Sequence, residues 1–484
     1  MKKTIQLSLA VALILFPCLA WGEEAVSTTL SLPAYLHEIQ VKNGGYRSSV
    51  ELREASGQIQ READLIFSPS FFTNVEGKND DKQGYGVLYN KIENKTYSSG
   101  ISQTSRYGLQ SKLYYSLDET KYSSVTGSDK YSDASPVVEL SLPVWKNGFG
   151  RSDRANEDAT RAQSQQDSWN AENERKLLLV NAEIIYWKLA VMRELVDIQK
   201  SGVEASQAIC DYDTKQAEMN LTDRADVLQA KANLESKRLD LKAAQDNEGA
   251  ALRSLNAYRN CDKESPLVEK INWDRVKTIS PVETDTFDIR ADVKAAEAQA
   301  RAAVANARIK EEDNKPSLNL YVDYAWNGGA TRSSDAISDS LSSDRPTTTV
   351  GFKFSVPLNL GASGDVRAGA RKKANAAELA YQQKLRDQES NWRDLKEKLK
   401  NARERFEMTF SIETAQKEKL EYERDRLKRG RTTTYQVLQF EKDFLDAEYS
   451  RASAGYEVLN LVAQMNLYRD NPAHWSIPKT GEKI

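Results

Sequence analysis

Side chains that could run proton-transfer or metal chemistry are scarce in this chain, and they do not cluster. Histidine occurs only as His37 and His474 in 484 residues, too few and too far apart in sequence for a His-based metal site or general base. Gly148-x-Gly150 has the look of a phosphate loop. A lone GxG is a weak signal, and Ala362-x-Gly364 stands at the matching place in the second half, so the spot reads as a strand-to-helix bend. No catalytic residue, metal or cofactor is assigned. Cys210 and Cys261 follow the N-terminal segment. If the chain reverses near Asn220, Cys210 lies about 15 Å above the turn and Cys261 up to about 60 Å back along the return path, too far apart for a disulfide.

What does recur is a set of turn residues and the segment that follows them. Val227-Leu228-Gln229 returns as Val437-Leu438-Gln439, a shift of 210, and Asn256-x-Tyr258-Arg259-Asn260 returns at the same shift as Asn466-x-Tyr468-Arg469-Asp470. Upstream, Leu140-Ser141-Leu142-Pro143-Val144 returns as Phe354-Ser355-Val356-Pro357-Leu358 at a shift of 214. A period this long is no solenoid unit and marks a duplicated half-molecule. The duplication aligns Asn220-Leu221-Thr222-Asp223 with Gly430-Arg431-Thr432-Thr433, and Asn and Gly are the residue types that most readily end a helix in a left-handed turn.

The elements around those turns have two periods. Residues 151–220 hold no proline and one glycine, and residues 365–430 no proline and two glycines, which predicts helices of roughly 60–70 residues and 100 Å with coiled-coil packing. The apolar patch from Leu177 through Ile184, Trp187 and Leu195 is the face such a helix buries. Strand periodicity appears at about 68–76, 137–145, 317–326 and 349–358. Leu318, Leu320, Val322, Tyr324 and Trp326 alternate with Asn319, Tyr321 and Asp323, and Val350, Phe352 and Phe354 with Gly351, Lys353 and Ser355. In the first half, Val138, Leu140 and Leu142 alternate with Glu139 and Ser141.

Such alternation suits a soluble sandwich as well as a membrane barrel. Connectivity decides between them. Strand pairs are joined by polar loops such as Asn327–Thr348, whereas their other ends run into the long helices, so all helices leave from one side. That arrangement implies a membrane barrel whose lumen carries Glu139, Ser141, Asn319, Asp323, Lys353 and Ser355. Four strands per chain cannot close a barrel, for which ~8 is the minimum, and a trimer supplies twelve. The strand-like sequence between residues 84 and 134 is expected to form an extracellular ribbon or an irregular extension.

Charged residues make up 29% of the chain and hydrophobic ones 39%, which argues against a bundle of membrane-spanning helices. A net charge of −3 without a dominant Lys/Arg block argues against nucleic acid as a partner. Lys2-Lys3, the apolar run Leu7–Leu19 and Ala20-Trp21-Gly22 predict a signal peptide over residues 1–22 and export of the mature chain. Phe16-Pro17 before Cys18 does not suit lipidation there. The organisation expected is a first repeat over 23–260, a linker or equatorial region over 261–286, a second repeat over 287–470 and a tail over 471–484. A non-transporting coiled-coil scaffold would explain the helices but not alternating strands at matched places in both halves.

Arg290-Ala291-Asp292-Val293-Lys294-Ala295-Ala296-Glu297-Ala298, then Pro316-Ser317-Leu318, Val356-Pro357-Leu358 and Arg426-x-x-x-Gly430 through Val437-Leu438 resemble the outer-membrane efflux proteins of the TolC family. The resemblance spans about residues 35–470. It implies an α+β membrane protein: a trimeric channel-tunnel with a twelve-stranded outer-membrane barrel, four strands per protomer, over a periplasmic α-helical barrel. It also implies a passive exit duct for efflux or type I secretion, not an enzyme, that engages a periplasmic adaptor (membrane fusion protein) and an inner-membrane transporter. By the same resemblance the periplasmic entrance comprises Asn220, Leu221, Thr222, Arg224, Asp226, Gln229, Gly430, Arg431, Thr432, Gln436 and Gln439. Aspartates common in the family stand six and nine positions after the tip glycine; here those positions are Gln436 and Gln439, while Asp226 keeps the acidic type in the first half. A glutamine ring has no fixed charge, which puts strong cation selectivity in doubt.

Overall fold

The computed structural model describes residues 29–80, 91–124, 127–261, 266–279, 287–342 and 345–469. The expected signal peptide, the tail with His474, and Gly84–Tyr89 lie outside these residues.

Helices come first: α1 (Leu32–Lys42), α2 (Gly44–Ile59) and α3 (Glu62–Leu65). Ser31 caps α1 by accepting from the Ala34 amide, and Asn43 caps α2 by accepting from the Tyr46 amide at 3.0 Å. Four long strands follow, β1 (Ser70–Asp80), β2 (Lys91–Thr104), β3 (Gln110–Ser124) and β4 (Gly127–Pro143). The chain then enters α4 (Arg151–Glu218), 68 residues or roughly 100 Å long, and returns through α5 (Arg224–Arg259). After the short α6 (Trp273–Lys277) the plan is repeated: α7 (Ala291–Asp313), β5 (Ser317–Trp326), β6 (Gly328–Ala330), α8 (Ser333–Ser340), β7 (Pro346–Ser355), α9 (Leu360–Lys428, 69 residues) and α10 (Thr434–Met465).

Among the described residues, seven strands form one antiparallel sheet in the order β1-β2-β3-β4-β5-β7, with β6 on β4. This corrects the count of four strands per chain. The described part of the segment between residues 84 and 134 belongs to this sheet: β2 pairs with β1 from Ser70↔Ser102 to Asp80↔Ile92, and β3 pairs with β4 from Gln110↔Ser141 to Ser124↔Gly127. The physical reason for the miss is composition. β2 reads KIENKTYSSGISQT, in which only Ile92, Tyr97 and Ile101 are large and apolar. Without β2, β3 would be a single crossing that could not return the chain to its helices. The Asn327–Thr348 connection is likewise more than a polar loop, since it holds β6 and α8.

Helix packing follows the duplication. In the first half α2 and α5 pack on α4, and in the second α7 and α10 pack on α9. The halves meet where α4 also packs on α7 and α10. The core sits at the level of the linker, where Tyr35, Tyr186, Trp187, Leu255, Phe406, Val458 and Tyr468 are buried together and Leu30 forms a parallel bridge to Val268. Of the apolar patch read in the sequence, Leu179 and Trp187 are buried here, and Val191 and Leu195 in a second cluster with Leu445. Among the described residues no helix is long and apolar enough to cross a membrane.

The strand-to-helix bends are built differently in the two halves. Asn147, in the left-handed region with φ 55°, accepts from the Ser152 amide at 2.7 Å and so caps α4. Asn359 caps α9 by accepting from the Ala362 amide at 3.0 Å. Gly150 has φ +71° and abuts the Ser105–Leu109 turn so closely that a Cβ would lie 2.5 Å from the Arg106 carbonyl oxygen. Gly364, which looked like its counterpart, lies inside α9 with open space around it. The shared bend residue is therefore asparagine.

Candidate functional site

The sheet has two chemically distinct faces, fixed by register. Residues directly opposite on neighbouring strands share a face. One such row is Ser70, Ser102, Lys112, Glu139, Asp323 and Thr349. The adjacent row is Phe71, Ile101, Leu113, Val138, Tyr324 and Thr348. On the face of the second row stand Phe71, Val75, Ile101, Leu113, Leu140, Leu320, Val322, Trp326, Val350, Phe352 and Phe354, all of them exposed. Val350 and Phe352 are 72% and 69% exposed, values that a strand face covered by protein would not show. Farther from the helices the same face turns charged, at Glu93, Lys95, Glu119, Lys121 and Lys130, with Lys130 and Glu119 paired at 3.1 Å.

Aromatic rings bracket the apolar stretch. Trp145 and Phe354 pack 6.5 Å apart near the helical end, and Tyr324 and Trp326 pack edge-on at 4.6 Å near the other. From Leu318 to Trp326 along a tilted strand the height is about 20 Å, close to the ~25 Å apolar band of a membrane barrel.

The opposite face is polar and brings together all six residues expected in the lumen. Glu139 lies across from Asp323, Asn319 across from Lys353, and Ser317 across from Ser355, with Ser141 two residues along from Glu139. Glu139 accepts from Tyr114 Oη at 2.7 Å and pairs with Lys112 at 3.1 Å. Lys112 and Tyr114 belong to β3, so the reading that missed that strand missed Glu139's partners.

About 100 Å away, at the far ends of the long helices, two reversals have the same backbone. Asn220 and Gly430 are left-handed, with φ 60° and 63°. Leu221 N donates to Gln216 O at 2.8 Å, and Arg431 N to Arg426 O at 2.9 Å. Both are the helix-ending hydrogen bond that a left-handed residue permits. Thr222 Oγ1 donates to Asp226 Oδ2 at 2.9 Å, and Thr432 Oγ1 to Gln436 Oε1 at 3.3 Å. Arg224, Asp226, Gln229, Arg431, Gln436 and Gln439 are all exposed. Among the described residues, Arg224, Asp226 and Arg431 make no ion pair within the protomer. Sequence reasoning missed the bond that joins the two reversals: Thr434 Oγ1 donates to Asp213 Oδ1 at 2.7 Å. Asp213 is buried, and burial raises its carboxyl above the usual range.

Midway along the helices lies a second feature the sequence did not signal. Arg451 is buried between Glu194, at 2.7 Å, and Glu413, and stacks 5.1 Å from the Trp273 ring. Trp273 Nε1 donates to both Glu194 oxygens at 2.8 and 2.9 Å. Glu448 lines the same cleft, and burial, reinforced by Glu413, pushes its carboxyl up to about 7.

A scan against family models matches residues 288–468 to the family described as Outer membrane efflux protein. Residues 288–468 carry an outer membrane efflux protein domain. This efflux-protein domain contains β5 to β7, α9, α10 and the Gly430 reversal. Among solved structures, the outer-membrane channel OprN superposes with a TM-score of 0.65 at 16% identity, covering 90% of this chain and 89% of that one. The outer membrane protein VceC of Vibrio cholerae gives 0.65 at 14% identity, with 90% and 95% covered. The MtrE outer membrane channel of Neisseria gonorrhoeae, in its open state, gives 0.62 at 16% identity, with 90% and 88% covered. The chain thus shares the fold of these channels over nearly its whole length. No curated protein sequence matches it.

Proposed function

We propose that this chain is an outer-membrane exit duct. It passively conducts substrates delivered by a periplasmic adaptor and an inner-membrane transporter to the cell exterior. The observation that carries the reading is the exposed apolar face of the sheet, bounded by aromatic rings and ending in charge, on a wall whose opposite face is polar. A coiled-coil scaffold gives no reason for such a face. The efflux-protein domain and the outer-membrane channels that share the fold support the same reading. Its direct test is fractionation: the protein should leave the outer membrane only with detergent and run as a heat-modifiable oligomer, and recovery as a soluble periplasmic protein would overturn it.

In this reading the copies form a homotrimer. The duplication supplies an argument for a ring. α4 is covered by α7 and α10, but the matching face of α9 is uncovered in the single chain, as is the face of α5 that corresponds to α10. Leu438 and Ile198 are buried, whereas their counterparts at the shift of 210, Leu228 and Met408, are 58% and 63% exposed. A neighbouring copy with α5 against α9 would bury both.

The same shift maps the Asp213–Thr434 bond onto Glu423 and Arg224. Glu423 is buried and already paired with Arg426 of its own helix at 3.2 Å, and Arg224 is exposed. Glu423 of one copy is therefore expected to bind Arg224 of the next, tying the entrance shut. Arg224→Glu should cost about 1.5–3 kcal/mol per interface and raise the open fraction of the channel, and the swap with Glu423→Arg should restore closure. Unchanged gating in Arg224→Glu would remove the pair from the account. The entrance ring then presents Asp226 once per copy among Gln229, Gln436 and Gln439, so its cation preference should be weak.

A further inference from the structure

We infer that each copy contributes six strands to the membrane wall, so that a trimer closes an eighteen-stranded barrel rather than one of twelve. The inference rests on the proposed trimeric duct and departs from it in the width of the wall.

Three observations carry it. First, β2 and β3 set apolar residues on the same face as their neighbours: Tyr97 and Ile101 on β2, among Ser99 and Gln103, and Leu113 and Leu117 on β3 share the face of Phe71 and Val138, where Tyr115 bonds to Ser340 of α8. A hairpin standing in water above the membrane has no need of that face. The turn joining β2 to β3, Ser105–Leu109, packs against Gly150 at the start of α4, so both strands reach the helical side of the membrane.

Second, β1 and β7 each pair on one side only. In lipid the unpaired N–H and C=O groups of an open edge are prohibitively costly. Six strands are too few to close on themselves. β1 runs away from the helices and β7 toward them, so β7 of one copy meets β1 of the next antiparallel, as at every other pairing in the sheet.

Third, the stagger already fits a barrel. The row that starts at Ser70, the first residue of β1, reaches β7 at Thr349, six residues short of its helical end at Ser355. Six residues of ~3.3 Å climbed over five strand spacings of ~4.8 Å is a tilt of ~40°, within the 35–45° of membrane barrels. With this tilt eighteen strands enclose a backbone diameter of ~36 Å and twelve only ~24 Å. The occupant of each edge is a second copy of this chain.

The test uses the full-length oligomer in lipid, with Cys210→Ser and Cys261→Ser as background. Spin labels are placed at Ile101→Cys and Leu113→Cys, with Phe352→Cys as a control on β7. All three should be accessible to oxygen and shielded from a water-soluble nickel chelate. In a second arm, alternation of faces allows Ser355 to lie opposite Ser70 or Phe72 of the next copy. Ser355→Cys combined with Ser70→Cys or with Phe72→Cys should therefore yield a disulfide-linked trimer on a denaturing gel. If Phe352→Cys is shielded while Ile101→Cys and Leu113→Cys meet the chelate, the six-strand wall is wrong and the duct survives. If Phe352→Cys also meets the chelate, the membrane reading fails with it. Absence of cross-links in both pairs overturns closure through β1 and β7.

Discussion

Val322→Arg is expected to prevent insertion of this protein, whereas Asp323→Arg, one residue along the same strand, should leave insertion intact. Val322 sits near the middle of the apolar face of β5, and its neighbours across the sheet are Leu140 and Val350. An arginine facing lipid at mid-depth of a barrel costs about 2–4 kcal/mol. Each copy carries the change, so a trimer pays it three times. The next residue, Asp323, points to the polar face opposite Glu139 and Thr349, where water receives a charge at little cost. Heat-modifiable oligomer in the outer membrane is the readout. Equal yields from the two variants would contradict the assignment of faces.

Arg451→Met should destabilise the helical body by roughly 3–5 kcal/mol per protomer at neutral pH, the usual consequence of leaving buried charge without its partner. The guanidinium faces Glu194 and Glu413 directly, with Glu448 in the same cleft, and stacks on the Trp273 ring. The loss should shrink on acidification. A carboxyl whose folded pKa is raised binds its proton more tightly in the native state, so the native state is favoured at low pH. That advantage is lost as pH rises from the unfolded value of about 4.3 through the folded value of about 7 for Glu448. Burial also raises Glu413. Thermal melts of the oligomer at pH 5 and pH 8 check this: the gap between wild type and Arg451→Met should be clearly wider at pH 8, and an equal gap would show that the arginine acts through packing alone.

The long helices and their reversals were legible because they rest on local rules. Residues 151–220 contain one glycine and no proline, and Asn220 and Gly430 are of the types that accept a left-handed turn. The polar face of the wall was equally legible, since strict alternation in β4, β5 and β7 places Glu139, Asn319 and Lys353 on one side. β2 escaped because its outward positions include Ser99 and Gln103, and a strand with so few large apolar residues lacks the alternation that identifies its neighbours. One missed strand hid a second, β3, because crossings must come in pairs.

Other features were beyond any local pattern. The Arg451 cluster joins residues from α4, α9 and α10 that stand far apart in sequence, and each looks like an ordinary charge on a helix. The Asp213–Thr434 bond likewise joins two reversals more than 200 residues apart, so no local pattern announces it.

Single-channel conductance of the purified protein in a planar bilayer tests the duct most directly, recorded for wild type and for Gln436→Asp/Gln439→Asp. The expected result is discrete openings whose weak ion preference shifts toward cations in the double variant, because six added carboxylates would ring the entrance of a trimer. A folded protein that never inserts into the bilayer would contradict the account.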